Sequence, residues 1–400
     1  MLSHKLINKN FQILAKSSYK FIEEQNKKYI KRKKETDLFD AFAFKIQYTK
    51  KEMSQSKITN KINDFKKTTT KRSCFVDRMK LIDENLLFSY YDHLDKDINS
   101  LFYNNKNITY QICAVDGTKA NAYATTINQS FKTTKSKDIF TFLSIGFFNV
   151  TYNDPCLLRC VEHKNERKGL LDNLNINKNP TIYVTDRGFL GNTVFKTIEN
   201  NNDYFICRIR HNNLINNKNI SDQVIPDYNG LKYARILNYK IKNLDYHIIT
   251  NIPQSMYSID DIKNIYHKRW NIEEYFKYIK NNMKMESFKE RDWKSIKTSI
   301  YMNFIISKLT YLIFNLYKKK IKNNNRTINK NLLTYELYND FLLKFIYNKQ
   351  LSERFLIKFF KKAIDIIVTN LDKKNVRRSM YPHTKWNTKG HYNKVIIEEK

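Results

Sequence analysis

Between residues 110 and 210, short apolar runs rich in β-forming residues alternate with segments of helical pattern. Each run has the length of a single strand, and strands of this kind are usually covered on both faces. The alternation predicts an α/β layer with a mixed sheet. The predicted strands are 112–115, 140–150, 156–161, 181–184 and 204–210, and the predicted helices between them are 162–174 and 192–199.

The segments on either side of this layer have the apolar spacing of helices. We therefore divide the chain into an N-terminal helical region, an α/β domain with a short β insertion, C-terminal helices and a basic flexible tail. The corresponding ranges are 1–105, 106–320 with the insertion at about 211–252, 321–371 and 372–400.

Residues 54–72, SQSKITNKINDFKKTTTKR, predict two short helices joined by a polar turn. A helix-turn-helix that reads DNA has this outline. A helical hairpin without a binding role has the same outline, and the residue spacing does not distinguish it from a helix-turn-helix.

The net charge of +33 far exceeds what solubility requires and implies a polyanionic partner, either nucleic acid or an anionic membrane surface. Aromatic residues make up 14% of the chain and are mixed through the basic segments, which favours nucleic acid because Tyr and Phe can stack on bases. The apolar run at 300–317 carries Asn303, Ser307, Lys308 and Asn315, so we interpret it as a buried helix and not as a membrane span. We expect no membrane partner.

Five cysteines are present, and none forms a C-x-x-C pair that could belong to a zinc site. We expect an intracellular protein, in which reduced thiols are the default. Its location would be the cytoplasm if it is bacterial, and the nucleus or a viral factory if it comes from a eukaryote or a virus.

The stretch from Tyr266 to Lys280, YHKRWNIEEYFKYIK, predicts a helix with one anchored flank. At 100° per residue, Tyr266, Arg269, Glu273 and Lys280 fall within an arc of about 60°. An adjoining apolar stripe can pack on a core, and it consists of Ile265, Ile272, Phe276 and Ile279. A plausible capping box at 258–261 precedes the helix. A solvated surface helix with ordinary ion pairs is the simpler alternative.

Two aspartates stand at the ends of predicted buried strands, each followed by a glycine: Asp116 before Gly117, and Asp186 two residues before Gly188. We expect the chain to turn sharply there and to leave each carboxylate at the edge of the sheet. Neighbouring strands would bring both aspartates within reach of one divalent metal, and Glu273 would add a third carboxylate. Such oxygen ligands suit Mg²⁺, and two ions about 4 Å apart can promote a phosphodiester displacement.

In this order, Asp116, Asp186 and Glu273 resemble the DDE triad of transposases and retroviral-type integrases. The spacing Tyr-(2)-Arg-(3)-Glu-(6)-Lys is similar to that of one group of bacterial cut-and-paste insertion-sequence transposases, and the phrase DRGF at 186–189 is typical of the same group. The resemblance covers about residues 105–320.

The resemblance implies a ribonuclease-H-like fold for the α/β domain and a role for each matching residue. Asp116, Asp186 and Glu273 would hold two Mg²⁺ or Mn²⁺ ions. Arg269, Lys280 and Tyr266 would contact the transposon DNA. For Trp270, stacking near a flipped base and packing in the core both stay open.

The implied activity is metal-dependent cleavage of transposon ends followed by strand transfer into target DNA, with a homodimer on the DNA. A ribonuclease-H-like nuclease without strand transfer and a domesticated DNA-binding protein are the alternatives. The segment between Asp186 and Glu273 is shorter than the β domain that relatives can carry there, and the segment that reads the DNA ends cannot be located from the sequence.

Overall fold

The computed structural model describes residues 3–30, 35–103, 110–123, 139–161, 164–174, 180–209, 221–226, 231–241, 244–318 and 326–370. The helices are α1 (His4–Tyr29), α2 (Leu38–Thr49), α3 (Gln55–Lys66), α4 (Arg72–Met79), α5 (Glu84–Phe102), α6 (Glu166–Leu171), α7 (Asn192–Asn200), α8 (Ile259–His267), α9 (Trp270–Asn281), α10 (Trp293–Lys318), α11 (Lys330–Glu336), α12 (Leu342–Tyr347) and α13 (Glu353–Ile367). The strands are β1 (Gln111–Tyr123), β2 (Ile139–Asn149), β3 (Asp154–Val161), β4 (Thr181–Thr185), β5 (Tyr204–Ile209), β6 (Asp222–Pro226), β7 (Tyr233–Ile241), β8 (Leu244–Thr250), β9 (Arg326–Ile328) and β10 (Val368–Asn370).

Eight strands form one mixed sheet in the order β3-β2-β1-β4-β5-β8-β7-β6. Strand β2 runs antiparallel to its neighbours β1 and β3, whereas β4 and β5 run parallel to β1. This first half has the strand order of the ribonuclease-H-like fold, so the predicted fold class is confirmed.

The segment predicted as a β insertion extends the same sheet. Strand β8 pairs antiparallel with β5, and β7 and β6 follow outward. The bidentate pair between the buried guanidinium of Arg235 and the carboxylate of Asp222 ties β7 to β6, and Arg235 also donates to the carbonyl of Tyr257. Strand β6 lies within the predicted insertion, of which residues 211–220, 227–230 and 242–243 lie outside the described residues.

Helices cover both faces of the sheet. On one face, α6 and α7 pack over a core that includes Val115, Ile145 and Phe205. On the other face, α8, α9 and α10 pack on the alternate side chains of the same strands, for example Ala114 and Val184. The successive residues of β1 therefore point to different helical layers, as the period of a strand requires.

The N-terminal and C-terminal helices share one core with α9 and α10. Buried side chains of α1, α2 and α5 join those of α12 and α13 around the long helix α10. The domain boundaries drawn from the sequence stay predictions; the residues on both sides of them contribute to this shared core.

Helix α10 is buried along most of its length and contains Lys308, which pairs with Asp154 and Asp95. This pairing explains how a lysine is accommodated inside an otherwise apolar helix. None of the helices in the described parts of the chain is long and apolar enough to cross a membrane.

The polar segment at 54–72 forms α3, a turn with Lys67 in the left-handed region, and the start of α4. The geometry therefore has two helices and a turn, and it leaves both interpretations of this segment open. The predicted tail at 372–400 and the basic run at 31–34 lie outside the described residues.

Candidate active site

Asp116 lies on β1, and Asp186 lies at the equivalent position just past the end of β4, the neighbouring parallel strand. The register pairs Ala114 of β1 with Val184 of β4, and each aspartate follows two residues later. Neighbouring strands lie about 4.8 Å apart, and residues two apart point to the same face. Both carboxylates are therefore directed to the face of the sheet that α8 and α9 cover.

The local structure differs from the prediction at Asp116. Strand β1 continues through Asp116 and Gly117 to Tyr123, and Asp116 pairs with Gly146 of β2, so no turn occurs there. The prediction of a sharp turn was wrong because β1 is extended by its antiparallel pairing with β2. At Asp186 the prediction is confirmed: β4 ends at Thr185, and the Asp186 carboxylate accepts a hydrogen bond from the amide of Gly188 at 2.8 Å.

The predicted single helix at 266–280 is two helices. Helix α8 begins at the predicted capping box, which is present at Ser258 and Asp261, and ends at His267. Helix α9 begins at Trp270. The amide of Arg269 donates to the carbonyl of Tyr266, three residues back, which is the hydrogen bond of a 3-10 turn between the two helices. The backbone of Arg269 stays helical.

The predicted apolar stripe is confirmed. Its four side chains are buried against the sheet, and α9 reaches β2 through Phe276 and Ile272. A Cβ at Gly146 would lie 2.7 Å from the Phe276 ring, so only a glycine allows this approach. Because Gly146 is the partner of Asp116 across the β1–β2 ladder, the contact holds α9 beside that carboxylate.

We predict that Gly146→Ala shifts α9 and separates Glu273 from Asp116. The added methyl group overpacks the contact with Phe276, and such changes cost about 1–3 kcal/mol. Denaturant melts should show this loss, together with lower catalytic activity. Gly191→Ala is the matched control, because its methyl group would make ordinary contacts with Arg167. Equal stability of the two variants would contradict the positioning role of Gly146.

The guanidinium of Arg269 bridges two of the three predicted carboxylates. Its Nη2 donates to Oε1 of Glu273 at 2.6 Å, and its Nη1 lies 3.8 Å from Oδ2 of Asp116. The Arg269 guanidinium thus lies beside both the helical glutamate and the β1 aspartate. Asp186 follows the end of the neighbouring strand β4.

The pKa of Asp116 is raised to about 7, mainly by burial and next by the negative charge of Asp186. Arg269 and the amide of Gly117 act in the opposite direction, and Glu166 adds to the rise. The site thus concentrates negative charge in a partly buried place, which is the electrostatic setting that a bound cation relieves.

Glu166, at the start of α6, is a site residue that the sequence reasoning missed. Burial and the charge of Asp186 raise the pKa of its carboxyl. The sequence offered no distinguishing signal, because a glutamate in the first turn of a helix is common for helix-dipole reasons alone.

The remaining predicted site residues lie on α8 and α9. Tyr266 is buried on α8, and its ring centroid lies 5.9 Å from the Arg269 guanidinium. The side chain of Trp270 is exposed, at 52%, so the interpretation as a core residue is wrong. Lys280 lies further along α9, where it donates to the carbonyl of Lys119 and pairs with Glu286.

The donor set fits a hard divalent cation. All the candidate ligands are carboxylate oxygens, and burial together with the negative charge of Asp186 raises the pKa of Asp116. Within the part of the chain that the structure describes, no three His, Cys, Asp or Glu side chains already lie close enough to enclose a metal ion.

Comparison with known proteins identifies the family. The family described as "Transposase DDE domain" matches residues 108–309, the range that contains the eight-stranded sheet and the residues Asp116, Asp186 and Glu273. The chain therefore belongs to the DDE transposase family, whose members typically use divalent metals.

One curated relative is a putative transposase for insertion sequence element IS4SA from Synechocystis sp., 26% identical over 141 residues. The match covers 34% of this chain and 40% of the relative, so it spans less than half of either protein. Among solved structures, a cryo-EM structure of the piggyBac transposase synaptic complex with hairpin DNA is similar with a TM-score of 0.46 and 10% identity, over 88% of this chain and 85% of that one.

Proposed function

We propose that this chain is a DNA transposase that cleaves the ends of a mobile element and joins them to target DNA. The observation that carries the proposal is the meeting of Asp116, Glu273 and Arg269, with Asp186 in register on the neighbouring strand. Membership of the DDE family supports the same chemistry.

In this proposal, Asp116, Asp186 and Glu273 hold the divalent ions. When bound, such ions supply Lewis-acid stabilisation to the reacting phosphodiester. The sheet fixes the two aspartates, and the packing of α9 on Gly146 fixes the glutamate. The chain's contribution is to hold these oxygens close together in a partly buried place on one face of the sheet.

Arg269, Lys280 and Tyr266 are the proposed contacts to DNA. Arg269 already lies beside the carboxylates and presents a planar fork of donors that suits a phosphate. Lys280 adds a second cation further along α9, and the burial of Tyr266 keeps its ring beside Arg269. These three groups would place the scissile phosphate next to the acidic residues.

The excess of positive charge supports DNA as the partner, both as element ends and as target. The chain carries 72 Lys and Arg residues against 39 Asp and Glu. Binding through phosphate contacts weakens steeply as salt rises, because counterions are released on association. We further propose a homodimer on the DNA, since two ends have to be joined in one reaction.

The experiment uses duplexes that carry the inverted repeats flanking the gene, supercoiled plasmid as target, and Mg²⁺ or Mn²⁺. The proposal expects nicking that leaves a 3′ hydroxyl at the repeat end, followed by joined products. Cleavage without joining would indicate a nuclease instead, and specific binding without cleavage would indicate a DNA-binding protein.

We predict that Trp270→Ala weakens DNA binding without lowering the melting temperature. The indole is exposed, and its neighbours are the cations of Arg269 and Lys277, whose groups lie 5.8 and 6.0 Å from the ring centroid. Loss of a stacked base costs about 1–3 kcal/mol. Tyr335→Ala removes another exposed aromatic, on α11, and serves as the control. Equal affinities of the two variants in fluorescence anisotropy would exclude the stacking role.

A further inference from the structure

Gly117, next to Asp116 on β1, leaves room for a side chain from α6. Along β1 the side chains of Cys113 and Val115 face α6 and α7, whereas Ala114 faces α9. Residue 117 therefore belongs to the α6 face. A Cβ at this position would lie 2.6 Å from Oε1 of Glu166, so the carboxylate occupies the space that any other residue would fill.

The same carboxylate reaches the turn that follows β4. A Cβ at Gly188 would lie 3.4 Å from Oε2 of Glu166 and 3.0 Å from Oδ1 of Asp186. The carboxylates of Glu166 and Asp186 therefore both lie close to Gly188. Gly117 is the glycine that leaves room for Glu166, because the distance at Gly188 is that of an ordinary contact.

Hydrogen bonds of the two residues that flank Glu166 fix the start of α6. The side chain of Asn165 caps the helix by accepting from the amide of Lys168, and Nε of Arg167 donates to the carbonyl of Gly188 at 3.0 Å. Glu166 lies between these two anchors. These anchors fix the backbone on both sides of Glu166, whose half-buried side chain extends toward Gly117.

We propose that Glu166 is a fourth carboxylate of the metal site and binds, from the opposite face of the sheet, the same divalent ion as Asp116 and Asp186. This inference rests on the proposed function, since it assumes the ion that the two aspartates hold. A role confined to the helix dipole would not need the glycine at 117, because a first-turn glutamate interacts with the dipole from solvent.

The test measures Mn²⁺ affinity by isothermal titration calorimetry on the full chain without DNA, so the readout is independent of activity. Glu166→Gln keeps the shape and removes the charge, and we expect Mn²⁺ to bind roughly 10–100-fold more weakly. Glu274→Gln is the matched control, because that exposed carboxylate pairs with Lys277, and it should bind as the wild type does.

A second variant displaces Glu166 without changing any charge. In Gly117→Ala the new methyl group takes the space that the flexible end of Glu166 occupies and displaces it. The backbone amide of residue 117, which donates to Asp116 at 2.8 Å, is retained. We expect a similar loss of Mn²⁺ affinity. In the Glu166→Gln background, Gly117→Ala should add little, because both changes remove the same ligand.

The outcomes separate this inference from the proposed function. If both variants bind Mn²⁺ like the wild type while Asp116→Asn loses it, Glu166 is no ligand and the triad stands. If Asp116→Asn keeps both Mn²⁺ affinity and DNA cleavage, the proposed function itself fails. Thermal melts of each variant identify loss of folding, and a folded Gly117→Ala decides the question if Glu166→Gln does not fold.

Discussion

Asp116→Asn is expected to abolish DNA cleavage and to leave DNA binding nearly intact. The amide keeps the shape of the side chain but removes the charge that a divalent cation requires. Metal ions stabilise such transition states by several kcal/mol, so we expect the rate to fall roughly a thousandfold or more. Gel assays of cleavage and fluorescence anisotropy of binding on the same oligonucleotide measure the two effects separately.

Asp260→Asn is the matched control for this experiment. Asp260 lies in the first turn of α8, its side chain is 85% exposed, and it pairs only loosely with Lys263 at 3.9 Å. Its loss should leave cleavage unchanged. Cleavage that survives Asp116→Asn would show that the site has been assigned to the wrong residues.

Lys308→Met is expected to produce the largest loss of stability. The ammonium of Lys308 is buried, lies 2.6 Å from Oδ1 of Asp95, and forms a hydrogen-bonded pair with Asp154. Removal of one partner leaves a buried carboxylate without compensation, which costs about 3–5 kcal/mol. Urea unfolding followed by circular dichroism measures this change.

The double variant Lys308→Met with Asp154→Asn distinguishes charge burial from loss of packing. Because the second change removes the uncompensated charge, most of the stability should return. A double variant that is less stable than Lys308→Met alone would show that the packing of the lysine stem, and not the ion pair, carries the effect.

The strands of the first half of the sheet were predictable because their residues are strongly patterned. The runs at 112–115 and 181–184 lie in strands, as does the run at 140–150 except for its last residue, and the ribonuclease-H-like order that the resemblance implied is present. The joining of β6, β7 and β8 to the same sheet depends on pairing between distant segments, which local patterns do not contain.

Only part of the candidate site could be predicted from the sequence. Helical spacing correctly placed Arg269 against Glu273, although the helix is interrupted just before Trp270. The glycine at 117 was attributed to a turn, whereas it admits a side chain from another element. That contact, and with it Glu166, depends on how α6 packs on the sheet and leaves no mark in the local sequence.

The central claim is that Asp116, Asp186 and Glu273 hold one metal centre. Anomalous diffraction from crystals grown with Mn²⁺ and a duplex that carries the element's end tests it most directly. We expect an anomalous peak in contact with Asp116 and Asp186, with Glu273 turned toward it and Arg269 on a DNA phosphate. A peak elsewhere, or carboxylates that stay more than about 10 Å apart in the complex, would contradict it.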